Sequence, residues 1–318
     1  DPYLTLLGAL HARRSGTSPL PWINRALERD PHAGRPYLLL AQLLVRGARP
    51  GQALQAAGQA AERDGGLTRA AARLAVAASQ DPAAILRAAP AGRAGIPFLT
   101  ACAGELPPDR AGAARLTLLE AAVERAPDDA RPRAALARTV TALLGQSAAG
   151  SPCAGDRAAR CLALVEAQAA ALDELLPAGP EGTLARAELL LATDRPHAAL
   201  EQLTAGCERW PTSAPCQQRL VDAADRAGDL DRLATAASRL LAASCGPSAT
   251  CAAAARGLAE RYARHGLWLQ AIPYFERAAR ESGAATDWER TAEAALQAGQ
   301  LTRAAQAADR ARRAGGTR

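Results

Sequence analysis

The sequence of 318 residues contains no Met and no Lys, and only 3% of its residues are aromatic. It also has no uninterrupted apolar stretch near the roughly 18 residues that a membrane-spanning helix needs. This absence predicts that the segment itself does not insert into a membrane. Runs in which Val, Ile or Thr alternate with polar residues are absent too, so we expect no β-sheet.

The charge of the chain is nearly balanced and is carried by arginine alone. The 38 basic residues and 32 acidic residues give a formal net charge of +6, and the two signs are interleaved along the sequence. Proteins that bind nucleic acid usually concentrate positive charge on one face, with aromatic rings to stack on bases. The even distribution and the few aromatics therefore predict no nucleic-acid partner, and the preference for Arg over Lys is typical of a G+C-rich genome.

The chain begins Asp1-Pro2-Tyr3 and shows no signal peptide at that end. Together with the lack of Met, this favours a mature or trimmed product. We therefore expect that any targeting or membrane segment would have been lost upstream of Asp1.

The seven cysteines include six that fall in close pairs. The pairs are Cys153 with Cys161, Cys207 with Cys216, and Cys245 with Cys251. Each pair straddles a loop and the start of the next predicted helix, which suits a short disulfide and thus an oxidising compartment. Buried free thiols and zinc are the alternatives, although structural zinc sites space their cysteines more closely. The seventh, Cys102, is interpreted as a small buried apolar residue.

Residues 252–283 have the pattern of two short amphipathic helices. Apolar residues recur at helical spacing: Leu258, Ala259 and Tyr262 in the first helix, then Ala271, Ile272, Phe275 and Ala278 in the second. The pair His265-Gly266 separates them, because Gly adopts turn conformations that other residues avoid. One such hairpin cannot bury both apolar faces alone, so it needs a neighbour on each side.

The same hairpin pattern recurs along the chain. From Pro31 to Gly65 is one period of about 34 residues. We predict N-terminal hairpins over 1–65, irregular helical hairpins with a Gly/Ser/Ala-rich insertion over 66–180, and regular C-terminal hairpins over 181–316. In the first helix, the expected apolar face is Leu4, Leu7, Gly8 and His11.

Small residues mark equivalent positions of the regular hairpins. They are Ala187, Ala199, Gly206 and Pro211; Ala259, Ala271, Ala278 and Gly283; and Ala292, Ala304, Ala311 and Gly316. This pattern resembles the tetratricopeptide repeat (TPR) over 1–65 and 181–316. The resemblance implies an all-α fold, a right-handed superhelical solenoid of antiparallel helical hairpins, in which the first helix of each hairpin lines a concave face that receives a peptide or protein segment.

A finer similarity concerns the N-terminal region. Residues 21–31 and 35–46 resemble periplasmic repeat regions that follow membrane-embedded O-antigen ligase or polymerase domains, and equally resemble envelope lipoproteins with such repeats. The resemblance implies a periplasmic or otherwise exported location in a bacterial envelope.

An acidic strip is predicted on the concave face. One position of the first helix in each of the last four hairpins is acidic: Glu188, Asp225, Glu260 and Glu293. The neighbouring residues Gln218, Arg256 and Glu289 complete the predicted binding surface. A row of carboxylates in a groove would favour a partner with a basic segment. The alternative is that these are ordinary solvated positions, with Arg256 and Glu260 forming an i,i+4 pair.

The sequence carries no motif for catalysis. It lacks a phosphate-binding Gly-rich loop, a nucleophile elbow and a zinc-protease helix motif. The four His fall at turns or helix ends, and Asp128-Asp129 is in a turn where Asp caps the next helix. We therefore expect no catalytic residue, no metal and no cofactor.

The function predicted from these observations is a non-catalytic protein–protein interaction scaffold of the bacterial envelope. The alternative is the soluble periplasmic repeat domain of a membrane glycan ligase or polymerase of the O-antigen type. A cytosolic regulator with the same fold is a third hypothesis. The sequence leaves the partner and the oligomeric state open.

Overall fold

The computed structural model describes residues 2–146, 151–245 and 248–315, and these residues form eighteen α-helices and no strand. The helices are α1 (Pro2–Arg14), α2 (Leu20–Arg29), α3 (Gly34–Arg46), α4 (Pro50–Arg63), α5 (Thr68–Ala78), α6 (Pro82–Ala88), α7 (Gly95–Glu105), α8 (Gly112–Arg125), α9 (Ala130–Leu144), α10 (Ala158–Leu175), α11 (Glu181–Ala192), α12 (Pro196–Cys207), α13 (Ala214–Ala227), α14 (Leu230–Ser244), α15 (Ser248–Arg264), α16 (Trp268–Ser282), α17 (Ala285–Gln297) and α18 (Leu301–Gly315). The prediction of an all-α chain is confirmed.

The chain divides into two compact units, Asp1–Thr193 and Asp194–Arg318. The boundary falls between α11 and α12, within the segment that the sequence pattern treats as one hairpin. The proposed division at residues 65 and 180 rests on repeat regularity and stays a prediction.

In the first unit, each helix packs chiefly on its neighbours in the sequence. Hairpins such as α3–α4 and α7–α8 are joined side by side, because α3 contacts α5, α5 contacts α7, and α7 contacts α9. Large apolar residues, among them Phe98, Leu99 and Leu118, are fully buried in the shared core. Stacking in chain order is the arrangement of a helical-repeat protein, in which each repeat buries its apolar face on the next.

The second unit repeats this arrangement. The hairpins α13–α14, α15–α16 and α17–α18 follow one another, with α14 packed on α15 and α16 packed on α17. The fold is therefore a TPR-like solenoid of antiparallel hairpins, as the small-residue pattern predicts.

Glycine and aspartate define the turns. Gly228, Gly266, Gly283 and Gly299 all have left-handed backbone conformations, with φ between 65° and 73°. Such values are strained for residues with a side chain, so the chain turns where these glycines occur. Asp129 caps α9 by accepting a hydrogen bond from the Arg131 N–H, as expected from the sequence.

The alanines of the repeat pattern are buried in the helix packing, whereas Gly206 is half-buried and Pro211 and Gly283 are exposed. Ala259, Ala271 and Ala278 are all fully buried, and Ala187 and Ala199 are as well. Larger side chains at these points would push the paired helices apart. Gly316, the last of the predicted small positions, lies outside the described residues, as do residues 147–150 of the Gly/Ser/Ala-rich insertion.

The predicted apolar face of the first helix is wrong for Leu4, Leu7 and His11, whereas Gly8 does lie against the Trp22 ring of α2. Leu4 and Leu7 are exposed, whereas the buried positions of α1 are Thr5, Ala9 and Ala12. The helix α1 packs mainly on α2. Close approach of two helices favours small side chains at the contact, so the alanines rather than the leucines face α2.

All three predicted cysteine pairs are disulfides. They join Cys153 to Cys161, Cys207 to Cys216, and Cys245 to Cys251. Each fastens a helix start to the segment that precedes it. Cys102 is free and fully buried on α7, and burial, with a smaller contribution from Glu105, raises the pKa of its thiol to about 12. A thiol in this state is a packing residue rather than a nucleophile.

No helix within the described ranges is both long and apolar enough to cross a membrane.

Candidate functional site

A cavity of about 430 Å³ opens between α15, α16 and α17 in the second unit. Its walls come from three helices of two successive hairpins. The lining residues are Glu260, Ala263, Arg264, Trp268, Phe275, Arg290, Glu293 and Ala294. Two of the four predicted strip residues, Glu260 and Glu293, therefore face one cavity.

The base of this cavity is apolar. Phe275 is 5% exposed, and the Trp268 ring at the start of α16 is half-buried. The Phe275 and Trp268 rings give the cavity a surface for an apolar side chain. On α15 and α16, outside the lining, the Tyr262 and Tyr274 rings stack with their centroids 5.3 Å apart, and burial raises the pKa of Tyr262.

The rim of the cavity carries two acidic and two basic residues, but they are not equally engaged. Arg290 of α17 donates to Glu260 of α15, and Arg264 donates to Asp225 at 2.5 Å. Glu293 has no ion-pair partner among the described residues. It is exposed at the rim, so it is the carboxylate of this cavity that is open to a cation from outside.

Asp225 is the most heavily engaged residue of the predicted strip. Its carboxylate lies 2.5 Å from the Arg264 guanidinium, 3.7 Å from Arg261 and 2.9 Å from the His265 Nε2. These partners come from the next hairpin, on α15 and the turn that follows it. Asp225 therefore joins α13 to α15, and its charge is already balanced.

Arg256 pairs with a residue that the sequence pattern does not single out. Its Nε and Nη2 donate to the two carboxylate oxygens of Asp287 at 2.7 and 2.6 Å. Ser282 Oγ donates to the same carboxylate at 2.6 Å, and Asp287 is only 2% exposed. The hydrogen bond from Arg256 is the main reason that the pKa of Asp287 is lowered. Arg256 and Glu260 thus each pair with the following hairpin, instead of with one another along α15 as the simpler alternative expects.

The remaining predicted binding residues differ in their surroundings. Gln218 on α13 donates to Asp222 at 3.1 Å, and Glu289 on α17 is exposed. Glu188 lies on α11 in the first unit and is half-buried. The structure brings Glu260 and Glu293 to one cavity. It places Asp225 and Arg256 in ion pairs that link hairpins. That the seven residues bind a partner stays a prediction.

Sequence reasoning missed Trp268, Arg264 and Arg290 as parts of the cavity. One signal was available for the tryptophan, because it follows the Gly266 turn directly and so begins the second helix beside the groove. No comparable signal existed for the arginines, which are spread along the whole chain.

The chemistry offered here is recognition. An aromatic base beside an open carboxylate suits a ligand with an apolar group next to a cation. No group of three or more His, Cys, Asp or Glu that could hold a metal ion occurs in the described parts of the chain.

The class that these hairpins define is a TPR-like helical-repeat protein. No family model and no curated protein matches the chain. Among solved structures, the MamA protein is 17% identical with a TM-score of 0.38, covering 56% of this chain and 91% of that one. The human IFIT1 dimer with PPP-AAAA is 13% identical with a TM-score of 0.42, covering 96% of this chain and 75% of that one. The fold assignment rests on the helix contacts above, and the finer similarity to O-antigen ligase or lipoprotein repeat regions stays a prediction.

Proposed function

We propose that this protein is a non-catalytic interaction scaffold whose second unit binds a peptide or protein segment in the cavity between α15, α16 and α17. The observation that carries the proposal is the open carboxylate of Glu293 beside the Trp268 and Phe275 rings. The segment would place a Lys or Arg against Glu293 and an apolar side chain on the rings.

The ion pairs around the cavity favour one basic residue over a long basic stretch. Asp225 and Glu260 are held by arginines of the protein itself. A ligand cation would have to displace those arginines to reach either carboxylate, whereas Glu293 and the nearby Glu289 are exposed and need no displacement. The proposed ligand therefore carries one or two positive charges in its bound part.

The three disulfides support an exported location for this scaffold, because cytosolic reductants keep such cysteine pairs reduced. The disulfides and the sequence similarity together favour a place in the bacterial envelope, which is part of the proposal. Oxidised pairs in protein isolated from its native host would support it, and six reactive thiols there would contradict it.

Peptide selection tests the binding site directly. The full chain would be used to select from a displayed random peptide library, and selected peptides would be measured by fluorescence anisotropy. We expect enrichment of sequences with Lys or Arg next to a large apolar residue. The variant Glu293→Arg should weaken their binding about tenfold or more, because it replaces attraction by repulsion.

The matched control is Glu281→Arg. Glu281 is likewise exposed, lies on α16 and is not among the residues that line the cavity. The Glu281→Arg substitution changes the net charge of the protein by the same amount as Glu293→Arg. It should leave the affinity for the selected peptides within about twofold, since surface charges away from the contact act only weakly. A second variant, Trp268→Ala, should weaken binding with no change in its salt dependence. Equal losses in the two glutamate variants would contradict the site.

A further inference from the structure

The hairpin of α1 and α2 carries a large share of the exposed apolar surface of this protein. Ten large apolar residues are well exposed in the described parts of the chain, and four of them lie on these two helices: Leu4, Leu7, Leu20 and Trp22. The two helices contain only 13 and 10 residues. Single exposed apolar residues are normal on a protein surface, whereas a concentration of them marks an interaction site.

Three of the four residues form one continuous patch. Leu4, Leu7 and Gly8 share a face of α1, because residues three or four positions apart are neighbours on a helix. The Trp22 ring of α2 lies against Gly8, where an added Cβ atom would come within 2.5 Å of the ring. The glycine thus allows the ring to lie beside the two leucines. We call Leu4, Leu7 and Trp22 the α1–α2 patch.

Basic residues border this patch. His11 and Arg14 follow the two leucines at helical spacing along α1, and both are exposed. On α2, the Arg25 guanidinium lies over the Trp22 ring, 5.6 Å from the ring centroid. The two helices hold four arginines and one acidic residue, whereas the whole chain, with 38 basic and 32 acidic residues, is nearly balanced. The hairpin therefore combines an apolar patch with positive charge.

An anionic lipid surface complements both features of the hairpin. Its headgroups carry phosphate for the guanidinium groups. The boundary of its acyl chains accepts leucine and tryptophan side chains, which are typical of helices that lie in a membrane interface. A second copy of this chain would instead place its own arginines opposite these, and like charges that face each other are unfavourable. The charge of the hairpin therefore favours lipid over self-association.

The two helices are suited to lie on such a surface and not to cross it. At about 1.5 Å per residue, they are roughly 20 and 15 Å long, which is short of the roughly 30 Å of a bilayer core. An interfacial helix needs only an apolar face and a basic flank, because it stays at the depth of the headgroups.

We propose that the α1–α2 hairpin docks on an anionic lipid bilayer, with the α1–α2 patch at the acyl-chain boundary and with Arg14 and Arg25 against lipid phosphates. The hairpin belongs to the first unit. The proposal therefore does not depend on the peptide cavity of the second unit.

Flotation of the full chain with lipid vesicles tests the proposal. One set of vesicles is phosphatidylcholine alone, and the other contains equal parts of phosphatidylcholine and phosphatidylglycerol. We expect saturable binding to the anionic vesicles, binding at least about tenfold weaker to the neutral ones, and a loss of binding as salt is raised. Absence of binding to the anionic vesicles, or equal binding to both sets, would overturn the proposal.

A double leucine variant tests the apolar part of the contact. With Leu4→Asn and Leu7→Asn together, binding to the anionic vesicles should fall about tenfold or more, because two apolar side chains no longer leave water. Both leucines are exposed in the free protein, so the fold should be kept. The matched control is Leu296→Asn with Leu301→Asn, two leucines of the second unit with comparable exposure. Equal losses in the two double variants would overturn the proposal.

A double arginine variant tests the charged part. Arg14→Gln with Arg25→Gln should weaken binding to the anionic vesicles about tenfold or more, because each basic residue at such a surface contributes to attraction. Arg87→Gln with Arg138→Gln changes the net charge by the same amount at exposed positions of α6 and α9, and it should leave the affinity within about twofold. Equal weakening by the two pairs would mean that general charge, not this hairpin, attracts the lipid.

Tryptophan fluorescence locates the contact in a way that a merely structural role would not reproduce. Vesicles with brominated acyl chains should quench part of the fluorescence of the bound protein. In Trp22→Phe this quenching should disappear, since the remaining tryptophans, Trp210, Trp268 and Trp288, are in the second unit. Quenching that persists in Trp22→Phe would contradict the assigned face.

Sedimentation velocity distinguishes lipid from a second copy as the occupant of the patch. We expect a monomer that binds the anionic vesicles. A dimer that dissociates when Leu4 and Leu7 are replaced by Asn, in a protein that does not bind vesicles, would overturn the proposal in favour of a contact between two copies.

Discussion

Arginine joins successive hairpins in both units, but among the described residues its least exposed carboxylate partners across hairpins lie in the second unit. In the first unit, Arg63 Nε donates to the Pro31 carbonyl oxygen at 2.7 Å, and Arg125 donates to the Pro90 carbonyl oxygen at 2.9 Å. Both acceptors are backbone atoms at the end of the preceding hairpin, some 32 to 35 residues earlier. A carbonyl oxygen does not titrate, so these links persist across the whole pH range in which the protein folds.

In the second unit, three of the acceptors are carboxylates with little exposure. Asp287 is 2% exposed and Asp225 12% exposed, and each is held by arginine from another helix. Arg303 likewise donates to both oxygens of Glu276, at 2.7 and 3.0 Å. A buried carboxylate is stable only while its cation remains, because the charge has lost its water. The second unit is therefore expected to depend more strongly on charged carboxylates than the first, in which the carboxylates that join hairpins, such as Glu105 and Asp128, are more exposed.

The largest expected effect is that of Arg256→Ala. This change leaves the Asp287 carboxylate buried with only Ser282 as a side-chain donor. Breaking one side of a buried pair costs about 3 kcal/mol or more, so we expect the second unit to lose about that much free energy of unfolding. Hydrogen exchange of the full chain in urea measures it for each unit separately.

The control for this variant is Arg93→Ala in the first unit. Arg93 pairs with Asp128 at 2.5 Å, but both side chains are well exposed. Exposed pairs contribute little, because water replaces the lost partner. If both substitutions destabilised their units equally, the proposed contrast between the units would be wrong.

The next effect concerns the disulfides, of which the second unit has two and the first unit one among the described residues. Replacing both Cys207 and Cys216 by Ala should lower the free energy of unfolding by about 2–3 kcal/mol, since their short loop is no longer closed in the unfolded chain. Urea unfolding followed by tryptophan fluorescence is suitable. Three of the four tryptophans, Trp210, Trp268 and Trp288, are in the second unit.

A corresponding test is reduction of the unmodified protein with a thiol reagent. The urea midpoint of the second unit should fall further than that of the first. Equal urea midpoints before and after complete reduction would show that the disulfides contribute nothing to the stability of either unit.

Acid should act in the same direction as Arg256→Ala but more weakly. The hydrogen bond from Arg256 lowers the pKa of Asp287, and that from Arg303 lowers the pKa of Glu276. Their stabilisation is therefore complete above the unfolded-state values near pH 4 and is lost as pH falls through the lower folded-state values. The loss is smaller than in the arginine variant, because protonation removes the charge that would otherwise stay buried.

The measurement is the urea midpoint of each unit between about pH 7 and about pH 3, the range that spans these titrations. In the Arg256→Ala protein, the second unit should depend less on pH over the same interval. A wild-type second unit no more sensitive to acid than the first would contradict the role of the ion pairs.

The sequence was sufficient to predict the elements and their order. Glycines with φ near 70° at Gly228, Gly266 and Gly299 occur where the pattern places turns. The buried alanines and the three disulfides are local features too, since each disulfide joins cysteines only six to nine residues apart in the sequence. The spacing of residues close together in the sequence determines such features, so they can be predicted without a structure.

The links between hairpins could not be predicted in this way. Arg256 and Asp287 are 31 residues apart, and Arg264 and Asp225 are 39 apart. Whether an arginine reaches a carboxylate on the next hairpin depends on the rotation between hairpins and on a long, flexible side chain. The predicted strip places Asp225 and Glu260 on successive hairpins, and their place in a binding groove stays a prediction. Their partners emerge only from the packing.

The smallest expected effect comes from a turn that the two units make with different residues. Ala48 follows α3 in the first unit with φ 52°, and Gly228 follows α13 in the second with φ 71°. The turns share their hydrogen bonding, because the next residue in each donates to a carbonyl oxygen five positions earlier, Arg49 to Leu44 and Asp229 to Ala224. Only the side chain at the left-handed position differs.

Exchanging the two residues should therefore shift stability in opposite directions. Ala48→Gly relieves a conformation that costs a non-glycine residue about 1 kcal/mol, and Gly228→Ala introduces the same strain. Since Ala48 is exposed, its replacement removes no buried contact. Hydrogen exchange of α3 and α4 should slow in the first variant, whereas that of α13 and α14 should accelerate in the second. Changes of the same sign would mean that turn conformation does not limit the stability of these hairpins.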